Sequence, residues 1–259
     1  MQPRIGRVTG WACGLLLAVL ALPNAAAAAA QENAGPNANL LRQASGRYTY
    51  RTLTDGRERG VEAFDMFVHR DGSRTLMIWH DLWAKNAQFT VVLRVAENFR
   101  PLSAFVSYWV ADGYKGNATF RVDDDRINAS AAGDYGVVLR TTNVPDEFSI
   151  GTHPVAGDGW HLWYAPADKV GANGKINLYS LEATADNSKP PLGEIVEMTW
   201  EYVGDEILET PAGRFETKHY RMMGSTDVWI TGPDRILVRM LMERFDREYL
   251  LTELDTTQH

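Results

Sequence analysis

The sequence predicts an all-β fold: a single strongly curved antiparallel sheet, an open or half barrel, with an irregular plug or lid segment. Three observations carry this expectation. Across residues 201–254, short runs rich in aromatic and β-branched residues are cut by Gly-, Pro- and Asp-containing turns, as in an up-and-down meander. Between residues 46 and 142 apolar side chains recur with period two, in about eight runs at the spacing typical of sheet proteins. Between residues 143 and 191 that alternation stops, and Pro145, Pro154, Pro166, Pro190 and Pro191 stand among glycines. Several runs are apolar on both faces. The curl of the sheet is expected to cover one face, and a segment packed inside it the other.

The first 30 of the 259 residues read as a secretory signal peptide. Arg4 and Arg7 supply the positive start, residues 14–22 the apolar stretch, and Ala28, Ala29 and Ala30 the small residues of a cleavage site. The apolar stretch is too short for a membrane span and is followed by Pro23. Cys13 precedes that stretch, which is the wrong place for a lipid-modified cysteine after cleavage. Residues 31–45 are expected to be a flexible leader, residues 46–254 a single β domain, and residues 255–259 a tail.

Removing Arg4 and Arg7 from 26 basic residues leaves 24 against 33 acidic ones, a net charge of −9. That balance argues against nucleic acid and against docking to anionic lipid heads by charge alone. The processed chain keeps no cysteine, so its stability must come from its core rather than from disulfides. No later apolar run approaches the length of a span. The expected compartment is the periplasm, with secretion as the alternative; no cofactor or metal is expected.

In chain order, residues 47–53 lead through Asp55–Gly56 into a strand. There Val61, Ala63, Asp65, Phe67 and His69 share one face, and Phe64, Met66 and Val68 the other. Asp71–Gly72 is a hairpin turn, since both positions tolerate φ > 0. Strands follow over residues 74–83, 86–96 and 102–111. In the last, Leu102, Ala104, Val106, Tyr108 and Val110 oppose Phe105, Ser107 and Trp109. Three more precede Thr142. Within the irregular segment, residues 160–164 predict a short helix or wide turn and residues 176–182 one strand. Regular alternation then returns at Gly193. Two β halves joined by the irregular segment is one description of the chain; one curved sheet is the preferred one.

Candidate chemistry is sparse. His153, Asp158 and His161, joined by His80, offer an acid–base or ligating set, although their spacing matches no metal motif. Hydrogen bonding of these histidines to their own loop is the simpler account. Trp79, Trp83, Trp160 and Trp163 fall near the irregular segment or at a strand end and are candidates to line an apolar pocket. Met222 and Met223 with Met240 and Met242 form a further candidate group, Met240 sharing a strand face with Val238 and Met242; flexible thioethers suit varied apolar ligands, and filling of the core is the simpler account. Arg239 lies among apolar neighbours and needs a carboxylate, with Glu243 or Asp227 in reach, or else serves a ligand head group. Ser149 and Ser180 have no context that marks a nucleophile, and no phosphate loop or zinc-protease motif is present.

The C-terminal runs VGDEILETPAGRFETKHY, DVWITGPDRILVRM and REYLLTEL resemble the ending of exported bacterial proteins of unknown function. In those proteins a G-x-E…PAG-x-F-x-T hairpin precedes a W-x-T/A-x-D…LVR hairpin. The second hairpin is matched loosely here, because Gly232 and Pro233 separate Thr231 from Asp234. These proteins are similar in architecture to the periplasmic lipoprotein-carrier fold, an open curved sheet around an apolar cavity. The resemblance covers residues 200–254 and implies no catalytic role. It implies turn-shaping by Gly204, Pro211 and Gly213 and packing by Phe215 and Trp229. The functional expectation is a periplasmic protein that binds an apolar or lipid-like small molecule in envelope maintenance. The alternatives are an exported enzyme using the His/Asp set, and an envelope scaffold that adds a partner protein's strand along an open sheet edge.

Overall fold

Period-two alternation builds one sheet in a computed structural model that describes residues 38–111 and 113–259. The expected signal peptide and most of the expected leader lie outside these residues. In chain order the strands are β1 (Leu40–Arg51), β2 (Glu58–His69), β3 (Arg74–Leu82), β4 (Ala87–Val95) and β5 (Pro101–Val110). Next come β6 (Gly113–Val122), β7 (Arg126–Gly133), β8 (Gly136–Asn143), β9 (Ser149–Gly151) and β10 (Asn173–Leu181). The C-terminal set is β11 (Gly193–Thr210), β12 (Gly213–Met222), β13 (Thr226–Thr231), β14 (Ile236–Met242) and β15 (Arg247–Gln258).

All 15 strands form a single sheet ordered β8-β7-β6-β5-β4-β3-β2-β1-β15-β14-β13-β12-β11-β10-β9. It is open, with β8 and β9 at its ends, and every pairing is antiparallel except β9 on β10. The last strand returns to the first, with Tyr50 opposite Tyr249 and Gly46 opposite Leu254. That pairing joins the two β halves into one sheet. Among the described residues no helix is long and apolar enough to cross a membrane.

Strand alternation decides which side chains face inward. On β2, Glu62, Phe64, Met66 and Val68 are buried while Ala63 and Asp65 are exposed. The Asp71–Gly72 turn forms as expected: Gly72 takes φ +79° and Asp71 accepts the Ser73 amide at 2.9 Å. Two expectations need correction. β1 begins at Leu40 and β15 runs to Gln258, so pairing extends into both the leader and the tail. Residues 40–45 lack an alternating apolar pattern, but β2 and β15 flank them and satisfy their backbone groups. Leu102 does not share the face of Ala104; a register shift between Arg94 and Val95 leaves it 38% exposed.

The irregular segment fills the curl. Phe148, Ile150, Trp160 and Leu162 are buried, and Val155–Trp160 winds into a 3₁₀ turn. A proline- and glycine-rich stretch satisfies only part of its own backbone, as in the turns at His161, Trp163 and Ala165, and sheet side chains supply partners for more of it. Tyr108 donates to the Thr152 carbonyl at 2.6 Å, and in the other direction the plug's Trp160 indole donates to the Asp234 carbonyl of the β13–β14 turn at 2.9 Å. Arg235 donates to the carbonyls of Gly159 (3.2 Å) and Leu162 (2.5 Å). The Asp234 carboxylate is held by Arg42 and Arg74 at 2.5 and 2.9 Å.

Gly159 sits where the plug meets β14, and a Cβ there would overlap the Arg235 carbonyl oxygen. Gly159→Ala is therefore expected to cost about 1–3 kcal/mol and to open residues 152–165 to protease. Urea denaturation and limited proteolysis would show it. An unchanged urea midpoint would contradict this packing.

Candidate functional site

Beside the plug lies a hollow of about 460 Å³, walled by the plug on one side and by β11–β15 on the other. Met198, Met222, Met240 and Met242 line it, with Met223 at its rim and Leu178, Leu181 and Tyr249 between. Strand alternation makes this wall: Val228 pairs with Met240 and Met240 with Tyr249, all on the inner face. A second hollow, of about 230 Å³, adjoins it and shares His153, Ala183, Thr184, Arg247 and Tyr249. Its further lining includes Tyr50, Arg59, Lys85 and Phe89. A larger depression of about 600 Å³, bordered by Asp205, Glu206, Glu216 and Lys218, is more polar. Lys218 pairs with Asp205 there at 3.2 Å, so its charges answer one another.

The four His/Asp candidates come close without joining into one hydrogen-bonded chain. Asp158 and His161 pair, Oδ1 to Nε2, at 3.0 Å, and the other ring nitrogen of His161 meets the Ser149 hydroxyl at 2.8 Å. Ser149 is buried and lies outside the hollow's lining, so this run ties β9 to the plug. His80 is fully buried. It stacks on Tyr50 (4.4 Å between centroids) and Phe89 (5.2 Å), and meets His153 edge-on at 5.8 Å. Neither ring nitrogen of His80 has a hydrogen-bond partner. Burial, then the nearby His153 and Arg59, push its pKa down to about 3. His153, at φ +80°, lines both hollows and, unlike His80, keeps exposed surface; the protein packed around it lowers its pKa. Both rings are therefore neutral near pH 7. Among the described residues no group of three or more His, Cys, Asp or Glu is arranged to hold a metal.

The four tryptophans do not converge. Trp79 lies on the face opposite His80 and is 47% exposed. Trp83 is 46% exposed and donates its indole N–H to the Glu58 carbonyl at 3.3 Å. Trp160 is locked in the plug, and Trp163 donates to the Phe148 carbonyl at 3.1 Å. Nearness in sequence grouped them, but the face of each strand or turn separates them. Arg239 points away from Met240 and is held by Glu248 at 2.7 Å rather than by Glu243 or Asp227, with its guanidinium over Trp229. Met240 alone of these six lines the larger hollow.

Two buried groups escaped the sequence reading. Glu62 has no exposed surface; its carboxylate accepts the amides of Val155 (2.8 Å) and Ala156 (2.7 Å) and the Tyr50 hydroxyl. Burial pushes its pKa up to about 7, against these hydrogen bonds, which favour the ionised form. Its signal was a carboxylate in the inward column with Phe64, Met66 and Val68. The other is Arg59, 8% exposed, on the wall of the smaller hollow.

No family profile and no curated protein sequence matches the chain. Among solved structures it is similar to the β-barrel-like protein of the domain of unknown function DUF1849 from Brucella abortus. The TM-score is 0.53 at 10% identity, over 85% of this chain and 99% of that one. That likeness shows a β-barrel-like fold and nothing more. A DUF1089 family protein from Pseudomonas aeruginosa matches more loosely, with a TM-score of 0.38 at 11% identity over 68% of this chain and 86% of that one.

Glu62 and His80 oppose each other in their pH dependence. The folded pKa of Glu62 lies above its unfolded value, so its stabilisation is full below about 4.5 and is lost as pH rises through about 7. That of His80 lies below its unfolded value, so stability rises with pH between about 3 and 6.5. Urea denaturation from pH 4.5 to 6.5 separates them. Relative to wild type, Glu62→Gln should gain and His80→Phe lose, each by about 1.4 kcal/mol per pH unit at most. Parallel profiles for all three proteins would refute these environments.

Proposed function

We propose that the protein is exported to the periplasm and binds an apolar or lipid-like small molecule in the methionine-lined hollow. The observation that supports this most is the wall of Met198, Met222, Met240 and Met242, facing a space of about 460 Å³. Ligand sites typically span roughly 300–1,000 Å³ and are mainly apolar. Unbranched thioethers adapt to ligands of differing shape, whereas a packed core would fill such a space. Export rests on the signal-peptide pattern of residues 1–30, and a role in the cell envelope follows from that compartment. The residues proposed to contact the ligand are Met222, Met240, Met242, Leu178 and Tyr249, with His153 at the junction of the hollows.

A second reading, the scaffold, is favoured by β8. This strand ends the sheet, and Val137 and Leu139 are 73% and 77% exposed on it. A partner's strand could pair along its free edge. Co-purification of one stoichiometric partner, abolished by Leu139→Pro, would favour that reading.

Native mass spectrometry of protein purified from its own host is expected to show a bound small molecule. The purified protein should also take up fluorescent fatty acids. Met222→Asp should weaken that uptake about tenfold or more, because it places a carboxylate in the wall opposite Trp200 and Thr226, with no cation across from it. A clean ligand-free mass together with no uptake would remove the proposal.

A further inference from the structure

Every other well-buried cation described here has an answer within the protein. Arg74 meets Asp234 at 2.9 Å, and the fully buried Lys115 donates to the Asp186 carbonyl at 2.6 Å with Glu182 at 3.9 Å. The half-buried Arg239 is paired with Glu248, and Arg235 donates to plug carbonyls. Arg59 differs. It is 8% exposed, its Nη1 is buried with no hydrogen-bond partner, and it lines the smaller hollow. An unpaired buried guanidinium nitrogen is costly, and a fold retains one where something else completes it.

The surroundings say what completes it. Arg247 and Lys85 line the same hollow, and among the described residues no carboxylate does. His80 and His153 are neutral there, so the positive charge belongs to these three side chains. A guanidinium fork matches the paired oxygens of a carboxylate or phosphate. Arg247 also lines the methionine hollow, so the basic site opens onto that wall, where Asp158, paired with His161, is the one carboxylate among the described lining residues.

We infer that Arg59 and Arg247 bind the oxyanion head group of a single-chain amphiphile, a carboxylate or phosphate monoester, whose hydrocarbon chain lies along Met222, Met240 and Met242. This rests on the apolar-ligand reading above and adds the head-group chemistry to it.

The test uses protein purified after export and displacement of a neutral fluorescent probe by four twelve-carbon ligands: dodecanoate, dodecyl phosphate, dodecanol and dodecyltrimethylammonium. Acetate and inorganic phosphate serve as chain-free anions. The expected result is that both anionic amphiphiles bind about 10- to 100-fold more tightly than dodecanol, the effect of one charge-assisted pair. The cationic amphiphile should bind more weakly still, and the chain-free anions should not displace the probe. Arg247→Gln should shrink the ratio of dodecanoate to dodecanol affinity, and Arg59→Gln should abolish the preference. Because the ligand series is run on wild type, the outcome does not depend on either variant folding. Equal affinity for dodecanol and dodecanoate overturns the head-group inference and leaves the apolar site standing. Acetate or phosphate binding as tightly as their twelve-carbon counterparts overturns the amphiphile. Failure of every twelve-carbon ligand overturns both.

Discussion

A curled sheet needs something inside it, and here the filling is held by a carboxylate. Glu62 has no exposed surface, and its oxygens take the amides of Val155 and Ala156 at the start of the 3₁₀ turn, with the Tyr50 hydroxyl beside them. The plug contains prolines and glycines and makes little ladder of its own, so its backbone groups must find partners in the wall or remain unpaired. Glu62 supplies acceptors at one end, while Arg235, Tyr108 and Tyr220 supply donors along the rest. Burial raises the pKa of Glu62 to about 7, against the clamp's hydrogen bonds, which favour its charged form.

Where the plug stops, the curl is not filled. The hollow between the plug and β11–β15 is walled by methionines, and it adjoins a hollow with three cations and, among the described residues, no acid. Both belong to the space the clamp defines: Val155, whose amide Glu62 accepts, lines the larger one, and Tyr50 lines the smaller. Site and scaffold therefore share residues. A change that loosens the plug alters the site even without touching a methionine.

The opposite face of the C-terminal strands carries structural chemistry. Glu206 accepts the Trp229 indole and one His219 nitrogen, each at 2.8 Å, while Asp227 meets the other His219 nitrogen at 2.8 Å. His219 stacks on Trp229, Arg239 lies over that indole, and Glu248 joins Arg239 to Arg51. Several residues that make the C-terminal hairpins conspicuous as a motif are thus committed to one another, and they tie β11, β12 and β13 through β14 to the β15–β1 seam. Gly204 takes φ +150° at the register shift after Tyr202, and Gly213 φ +137° beside the β11–β12 turn, both conformations that favour glycine.

The sequence by itself determined the strands, most turns and the existence of a non-sheet segment, because these follow from local alternation and from Gly, Pro and Asp chemistry. It also brought out Met240 and the region of His153, Asp158 and His161. The tertiary structure decided what local pattern cannot encode. The pairing of β15 with β1 joins residues about two hundred positions apart, and the ends of both strands persist without an apolar pattern because neighbours satisfy their backbone. Trp79 and Arg239 were separated from the site by strand face. Glu62 and Arg59 were passed over because a charge in a β strand reads as solvent-facing until its neighbours are known. Only the folded molecule shows that one carboxylate meets three donors and that the other residue has a guanidinium nitrogen with no acceptor.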